Sequence, residues 1–500
     1  MRRLKIKQIQ KTIIVVLMLF LGAATTKAQE AITLGKAMSI AETGSPDLQQ
    51  SLLNLERFQK NLEAQRAALK SRFTLDVSPI SYSNQRRFDT RVSEWYTNEN
   101  LKSNARFLVS QPILLTDGTI SLSNEFGWQA SNSTANDSES KVFYNNLYLT
   151  LNQPIFTYNR LKLQLKELEL SYENANISYA MQRLNLEKNV TQFFYNVYMT
   201  QMNLTIAKEE LANTKKSHDI IINKVDAGLA AREELYQAEL NLATAESKLQ
   251  NSEVTFENAK DQLKLYLGMD LFDDILILAD ISANPVPVDL EKAINNGLNS
   301  RMELRQREID VENSQFELIK TRSLNEFRGD VNLRLGITGD NQNLSQIFDA
   351  PTSSPSVALS FNIPIFDWGE KKARIAAAEA SIKSQELNLS EEKKQIVVGI
   401  RQVYRSLQNQ LNQIDIAKKN VKNAELTYDI NLERYENGDL TGMDLNLFQT
   451  QLSEKKIAYS QALIDYKIEL LNLKIQTLYD FEQNKEIVPA ELYLSEEEKK

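Results

Sequence analysis

The sequence predicts a mainly α-helical protein built from two duplicated halves, each in the order helix–strand–strand–helix. After Pro154 the chain contains neither proline nor glycine until Gly228. The motif Asn-X-Pro-Ile-Phe occurs at residues 152–156 and again at 362–366, and the second copy leads into another proline-free run that reaches Gly438. A repeat of about 210 residues is far longer than a solenoid unit, so it indicates a duplicated half-molecule.

The first proline-free run predicts one continuous helix over residues 158–226. Apolar side chains recur there at steps of three and four, as on one face of a helix. The first members of this face are Leu161, Leu165, Leu168, Tyr172, Ala175 and Tyr179. Such a helix would be about 100 Å long, which indicates a coiled coil, a repeat or a tube. The second run predicts a matching helix between Gly369 and Gly438, with Gly399 as its one weak point.

Shorter helices are predicted on both sides of each long one. Their expected ranges are residues 33–72, 232–266, 288–324 and 441–478. Thr33 is placed to cap the first of them, and a break is expected in it at Ser45-Pro46. Two short helices laid end to end would match the length of one long helix. Each half is therefore expected to pack one long rod against two short ones.

Six segments alternate apolar with polar residues and are predicted to be strands. They lie at residues 73–78, 106–113, 120–128, 147–152, 331–338 and 357–362. Thr116-Asp117-Gly118 is typical of a hairpin turn. The polar or irregular stretches between these elements are expected to be loops, at residues 83–103, 131–141, 268–288 and 339–354.

Residues 1–28 have the pattern of a cleaved secretory signal, with a basic start, a short apolar core and a cleavage site before Gln29. A membrane anchor is the alternative, but the apolar core is short for a span. The chain has no cysteine, which excludes a lipid-attached cysteine and any dependence on disulfides. Its net charge of −8 becomes more negative when the basic signal is removed, which argues against nucleic acid as a partner.

The alternating strands favour a transmembrane β-barrel over a soluble sandwich. The chain is expected to be exported, and no run of 18 apolar residues follows the signal, so any membrane contact falls to the strands. Aromatic residues cluster near strand ends, as at membrane interfaces. These aromatics are Trp128, Phe143, Tyr144, Phe366 and Trp368. Four to six strands cannot close a barrel with a lumen in one chain, so several chains are expected to share it.

The chain resembles the TolC-like outer-membrane efflux protein family. The resemblance rests on the duplicated halves, on Pro154 and Pro364 at the strand-to-helix junctions, and on Gly228 and Gly438 at the helix tips. It implies a homotrimer whose strands form a shared β-barrel in outer-membrane lipid and whose helices form a tube in the periplasm. It also implies a passive exit duct of a tripartite efflux pump or type I secretion system. A periplasmic adaptor and an inner-membrane transporter would supply the connection and the energy.

The family resemblance also assigns roles to the helix tips. In the family, the turns at the periplasmic tips contact the adaptor. Here those turns span residues 227–230 and 437–441. The residues that the resemblance singles out are Gly228, Leu229, Ala230, Gly438, Asp439, Leu440 and Thr441.

Acidic residues just past the tips narrow the entrance in the family, and Glu234 and Asp444 fall on those positions. Three chains would bring six carboxylates around one axis and attract cations. The alternative is that both are exposed first-turn acids favoured by the helix dipole. Leu447 stands where better-known members have a second acid, and Leu440 where some have an arginine of a closing lock, whereas Tyr435 aligns with the tyrosine of that lock. The closed state is therefore expected to be held differently, and a ring of Leu447 side chains would gate by dewetting.

The expected repeats are residues 29–287 and 288–480, followed by an acidic tail at 481–500. The first repeat has about 46 extra residues, an inserted strand pair at about 84–130 that contains a third proline motif, Gln111-Pro112-Ile113. If this pair crosses the membrane, a trimer has eighteen strands. If it forms an extracellular hairpin instead, the barrel has twelve. The sequence favours neither.

No catalytic constellation is present, so an enzyme is not expected. His218 is the only histidine, and with no cysteine present no metal site or cofactor is predicted. Because Ser217 and Asp219 are adjacent to His218 on a helix, they do not face it. The remaining alternative is a periplasmic coiled-coil structural or adaptor protein without a pore, but such a protein would have one helical hairpin and no duplicated strand pairs.

Overall fold

The computed structural model describes residues 30–91, 93–134, 138–279, 281–282 and 284–487. The predicted signal peptide at 1–28 lies outside these residues. Of the acidic tail predicted at 481–500, only residues 481–487 are described. The described helices are α1 (Leu34–Gly44), α2 (Pro46–Ala68), α3 (Arg160–Asp226), α4 (Arg232–Leu267), α5 (Leu290–Ser300), α6 (Met302–Arg322), α7 (Glu370–Asn437) and α8 (Gly442–Thr477). The described strands are β1 (Glu30–Ile32), β2 (Arg72–Asp89), β3 (Glu94–Ile113), β4 (Gly118–Ser133), β5 (Ser138–Ile155), β6 (Ile275–Ile277), β7 (Arg328–Asn341), β8 (Thr352–Ser353), β9 (Ser356–Asn362), β10 (Tyr479–Asp480) and β11 (Lys485–Glu486).

Both long helices are confirmed. α3 has 67 residues and α7 has 68, so each is about 100 Å long. Gly399 lies within α7 and does not interrupt it. The chain divides into two compact units, which we describe separately. Of the described residues, unit 1 comprises those within 30–50, 182–295 and 399–487, and unit 2 those within 51–181 and 296–398.

The short helices before each long one are interrupted at equivalent positions. Ser45 separates α1 from α2 with extended backbone (φ −64°, ψ 121°), as predicted from the following proline. Arg301 separates α5 from α6 with nearly the same dihedral angles (φ −66°, ψ 126°). The single helix predicted over 288–324 was therefore wrong. No proline indicates the second break, because Met302 occupies the position that Pro46 has in the first half.

The strands form one antiparallel sheet in unit 2, in the order β2–β3–β4–β5–β7–β9, with the short β8 also paired to β7. β2 pairs with β3 over almost its whole length, apart from one irregularity between Ser78 and Ser81. β5 from the first half pairs with β7 from the second, which places Pro154 opposite Asp330. All long strands of both halves thus belong to a single sheet among the described residues.

Three loop predictions were wrong in part. In the loop predicted at 339–354, residues 339–341 continue β7 and residues 352–353 form β8. Residues 83–89 and 94–103 continue β2 and β3, and 131–133 and 138–141 continue β4 and β5. These strand extensions carry polar side chains on both faces, so they lack the apolar alternation that identifies a strand from sequence. Cross-strand hydrogen bonds hold them instead; for example, the Asn84 side-chain nitrogen donates to Glu99 (3.2 Å). The segment predicted to be irregular at 268–288 also contains β6, which pairs in parallel with β1.

One face of the sheet is apolar and exposed. It includes Phe73, Leu75, Val77, Leu335, Ile337, Val357 and Leu359, all more than half exposed. The opposite face carries hydroxyl, amide and charged side chains. One row of cross-strand neighbours on this face consists of Arg72, Ser110, Ser121, Thr150 and Arg334. An apolar surface of this extent is normally covered by lipid or by a partner.

Candidate functional sites: helix tips and strand–helix junctions

The two predicted tips are tight turns in unit 1. Gly228 ends α3 with φ +71° and Gly438 ends α7 with φ +88°. A Cβ atom at either position would meet nothing within 4 Å. The left-handed backbone, and not a lack of space, therefore requires glycine there. Leu229 is 79% exposed at the first tip, so the turn presents an apolar side chain to the surroundings.

The second tip is closed by a side-chain cap. The Thr441 hydroxyl accepts a hydrogen bond from the main-chain nitrogen of Asp444 (3.2 Å) and donates one to its carboxylate (2.7 Å). Asp444 therefore helps to start α8 while its side chain stays exposed. Glu234 is also exposed, in the first turn of α4, which has no side-chain cap. Leu447 is 54% exposed, one turn beyond Asp444.

Tyr435 differs from the other three predicted entrance residues because it is buried, with 2% of its surface exposed. Its hydroxyl donates a hydrogen bond to the main-chain oxygen of Ser217 on α3 (3.1 Å). Burial raises the pKa of this hydroxyl above its usual value, and the charge of Glu234 raises it further. Tyr435 therefore links α7 to α3 as a neutral donor.

Lys224, which no sequence pattern singled out, completes this link. Its ammonium donates a hydrogen bond to the main-chain oxygen of Tyr435 (2.7 Å). The same ammonium lies 4.6 Å from the centroid of the Tyr435 ring, within reach of a cation–π interaction. A cation in the last turn of a helix is ordinarily explained by the helix dipole, so nothing in the pattern singled out Lys224. We call the contacts among Ser217, Lys224 and Tyr435 the tip lock.

Further contacts between α3 and the second hairpin flank the tip lock. Lys216 forms an ion pair with Glu436 (2.8 Å). The Gln449 side chain, which is 4% exposed, donates to the main-chain oxygen of Glu210 (2.9 Å). Beneath them lies an apolar cluster. It comprises Tyr428, Tyr435 and Leu445, with Ile220, Leu432, Leu440, Phe448 and Leu452 packed against it.

At the strand–helix junctions, which belong to unit 2, both long helices begin on side-chain caps. The Asn159 side-chain oxygen accepts from the main-chain nitrogen of Lys162 at the start of α3 (2.8 Å). The Asp367 carboxylate accepts from the nitrogens of Gly369 (2.9 Å) and Lys371 (3.1 Å) at the start of α7. These two backbone hydrogen bonds lower the pKa of Asp367 below its usual value.

The turn of the inserted strand pair also docks at the first junction. Asp117, with φ +61° and its side chain 4% exposed, accepts hydrogen bonds from the main-chain nitrogen of Leu161 (3.1 Å) and from Arg160 Nε (2.8 Å). Asn159 donates to the main-chain oxygen of Leu114 (2.6 Å), and Gln153 donates to that of Thr116 (2.7 Å). The turn after β3 thus lies beside the start of α3.

The third proline motif behaves like the first. Gln111 precedes Pro112 near the end of β3, and its side chain donates to the main-chain oxygen of Leu69, just past the end of α2 (2.8 Å). Gln153 precedes Pro154 and makes the equivalent contact with the Thr116 oxygen. Each glutamine therefore ties its strand end to the neighbouring segment of the chain.

Glu125 joins the inserted pair to β5 on the polar face of the sheet. Its carboxylate accepts hydrogen bonds from Lys102 (3.1 Å), Asn104 (3.2 Å) and Arg106 (2.8 Å) on β3 and from the Tyr144 hydroxyl (3.1 Å) on β5. The side chain is only 14% exposed. Charge-assisted hydrogen bonds of this kind are stronger than neutral ones, so they fix the register of three strands.

Within the ranges that the structure describes, no group of three or more histidine, aspartate or glutamate side chains is arranged to hold a metal ion. His218 is partly buried, and its Nδ1 lies 3.8 Å from Asp219. None of the described helices is long and apolar enough to cross a lipid bilayer.

Comparison with known proteins gives a consistent result. The family model described as "Outer membrane efflux protein" matches residues 119–269 and 293–475. The chain is 19% identical over 336 residues to outer membrane protein TolC of Salmonella enteritidis, a match that covers 65% of this chain and 67% of TolC. It is 22% identical over 291 residues to the probable outer membrane lipoprotein SilC of Salmonella typhimurium, covering 55% of this chain and 60% of SilC.

Solved structures have the same fold. The CmeC outer membrane channel of Campylobacter jejuni superposes with a TM-score of 0.69 at 16% identity, covering 93% of this chain and 89% of CmeC. The open state of the MtrE outer membrane channel of Neisseria gonorrhoeae superposes with a TM-score of 0.63 at 13% identity, covering 91% of this chain and 90% of MtrE.

Proposed function

The chain belongs to the outer membrane efflux protein family, and on that premise we propose that it is the passive exit duct of a tripartite efflux pump or a type I secretion system. It would carry small molecules or proteins from the periplasm to the exterior as a homotrimer. A periplasmic adaptor and an inner-membrane transporter would work with it. The family is one of outer-membrane channels and not of enzymes, and nothing favours the alternative of a poreless periplasmic adaptor.

The observation that carries the proposal is the single sheet with one apolar, exposed face and one polar face. In a barrel the apolar face contacts lipid and the polar face lines an aqueous lumen. Trp128 lies directly across from Phe143 near one border of the apolar face. At the other border the rings of Phe156 and Phe327 contact each other at a tilt, with their centroids 5.4 Å apart. From Phe143 to Ile155, the last residue of β5, the chain advances twelve positions, which is about 41 Å along a strand and about 31 Å along the axis of a barrel with tilted strands. That height suits an apolar band with an aromatic girdle at each border.

We further propose that each chain contributes six strands, so that the trimer forms an eighteen-stranded barrel. Two contacts support it. The Asp117 turn reaches the start of α3, which is where the strands of the repeat end. Glu125 joins β3 and β4 to β5. An extracellular hairpin above a twelve-stranded barrel would leave this turn far from α3.

The edges of the sheet support closure by further copies of the chain. Within the described residues, β2 and β9 each pair along one side only. Open strand edges with exposed apolar side chains pair readily with other strands. In a threefold assembly, β9 of one chain would pair with β2 of the next and leave no edge. Eighteen strands would give a backbone diameter of about 36 Å, against about 24 Å for twelve.

The tips would form the periplasmic entrance. Glu234 and Asp444 are exposed on the first turns of α4 and α8, and Leu447 is exposed one turn beyond Asp444, as an entrance lining requires. Tyr435 would hold the closed state through the tip lock. The exposed turns at Gly228–Ala230 and Gly438–Thr441 would contact the adaptor.

The absence of cysteine permits a clean test. Asp444→Cys should allow a thiol-reactive reagent to reduce the conductance of the purified protein in planar lipid bilayers. The conductance of the wild-type protein should not respond to the reagent. A protein that gives no conductance steps in any bilayer would contradict the duct.

A further inference from the structure

A cavity of about 450 Å³ lies beside the tip lock in unit 1. All four helices of the two hairpins line it, with His218 from α3, Ala238 from α4, Tyr435 from α7 and Met443 from α8 among the lining residues. We call it the hairpin cavity. Its volume falls within the range of small-molecule sites.

The lining of the hairpin cavity favours a particular chemistry. Glu233 and Glu234 supply two carboxylates, while the cavity lining otherwise consists of amide, hydroxyl, imidazole and apolar side chains, with no lysine or arginine. The apolar part includes Ile221 and Met443, and methionine adapts readily to irregular ligands. Both glutamates are exposed. Two carboxylates in the same lining as apolar and aromatic side chains suit a cation with delocalised charge and an apolar body.

The position of the cavity makes its occupancy relevant to the entrance. α3 and α4 supply one part of the wall, and α7 and α8 supply the other. The tip lock joins the same two hairpins through Lys224 and Tyr435. Any movement that separates the two hairpins therefore breaks the tip lock and opens the hairpin cavity at the same time. A ligand that needs both walls therefore binds the closed arrangement more tightly than the open one, and shifts the equilibrium toward it.

We propose that the hairpin cavity binds an apolar organic cation and that its occupancy holds the tips closed. The regulatory half of this proposal rests on the proposed function, because it presumes that the tips gate a channel. The binding half rests on the cavity alone.

Binding is tested on the full-length protein in detergent with tetraphenylphosphonium, against a matched detergent blank. Tetraphenylborate has the same shape and the opposite charge, so it separates charge selection from apolar partition. We expect tetraphenylphosphonium to bind at least about tenfold more tightly than tetraphenylborate, since a difference of that size corresponds to about 1.4 kcal/mol. Equal affinity for the two ions would overturn the proposal.

Three variants locate the site. Ala238→Phe fills the cavity and should abolish binding of tetraphenylphosphonium. Glu233→Gln combined with Glu234→Gln should weaken it at least about tenfold. Glu239→Gln removes an exposed neighbouring acid that does not line the cavity and should leave binding unchanged. Wild-type affinity in Ala238→Phe would overturn the assignment.

A conductance measurement distinguishes the binding claim from the regulatory claim. Tetraphenylphosphonium should lower the open fraction of the wild-type channel and leave that of Ala238→Phe unaffected. If the protein binds the cation selectively but never conducts, the proposed function fails and the binding site stands. If it conducts but binds neither ion selectively, the channel stands and the cavity proposal is overturned.

Discussion

Asp117 contacts Arg160 across 43 residues of sequence: its carboxylate lies 2.8 Å from Arg160 Nε and also accepts the main-chain nitrogen of Leu161. A residue in the turn between β3 and β4 thus caps the 67-residue helix α3. Because Arg160 is largely exposed, the ion pair itself contributes little. The buried cap is the larger contribution, and it ties the inserted strand pair to the start of α3.

Asp117→Ala removes this cap and should lower the free energy of unfolding by about 1–2 kcal/mol. Thermal unfolding of the purified protein measures the change. Asp349→Asn, at an exposed acid in the loop before β8, is the control and should change stability little. Equal stability of Asp117→Ala and wild type would show that the turn does not dock as described.

Lys224→Met removes both contacts of Lys224 with Tyr435 and should favour the open entrance. Loss of a hydrogen bond from a charged group, about 1.5–3 kcal/mol, corresponds to a shift of roughly 10- to 150-fold in the closed-to-open ratio. Single-channel recording measures the open fraction. Lys215→Met is the matched control, since Lys215 is exposed. An unchanged open fraction in Lys224→Met would exclude the tip lock as the restraint.

Leu447→Asp tests gating by an apolar ring. A charged side chain at this exposed position would keep the constriction wetted, so conductance should rise at least about twofold, as it would if the constriction were the main resistance. Leu447→Met, which keeps the position apolar, should behave like wild type. If the conductance of Leu447→Asp is unchanged or lower than that of the wild type, the main resistance of the channel does not lie at Leu447.

Glu234→Gln combined with Asp444→Asn tests the acidic entrance. Six carboxylates around the axis of a trimer would enrich cations. The double variant should therefore lose most of the preference for potassium over chloride, as measured by the reversal potential in a salt gradient. Glu239→Gln serves again as the control acid. If the preference is unchanged, the carboxylates serve only to start their helices.

Glu303 predicts a pH dependence of stability. Burial alone would raise its pKa, but the ion pair with Arg301 outweighs burial and lowers the pKa below its usual 4.5. The stabilisation is therefore fully present at neutral pH and is lost as the pH falls through the lowered pKa of the folded state. Glu303→Gln should unfold more easily than wild type at pH 7, and this difference should shrink toward pH 3. The exposed Glu386→Gln should show no such convergence.

The helices could be predicted from the sequence because their periodicity extends over many turns and few prolines interrupt it. Thr33 caps α1 as expected, with the Lys36 nitrogen 3.4 Å from its hydroxyl. The break at Arg301 was missed because neither a proline nor a glycine stands at it, so the sequence pattern does not mark it. An ion pair with Glu303 stabilises that position.

The strand lengths were underestimated for a different reason. Alternation marks only the part of a strand that has one apolar face. The ends of β2 and β3 mix polar residues with a few apolar ones, such as the paired Phe88 and Trp95, and they depend on cross-strand pairing. The sheet order likewise depends on contacts between distant residues, so the sequence left the place of the inserted pair undecided. Lys224 was missed because a lysine in the last turn of a helix is ordinary.

The most direct test of this account is a count of strands by single-particle electron microscopy of the mature protein in mild detergent. We expect a threefold particle in which β2–β5, β7 and β9 of each chain form an eighteen-stranded barrel of about 36 Å backbone diameter, with the Asp117 turn at the start of α3. A twelve-stranded barrel of about 24 Å, with the inserted pair projecting above it, would contradict the central claim.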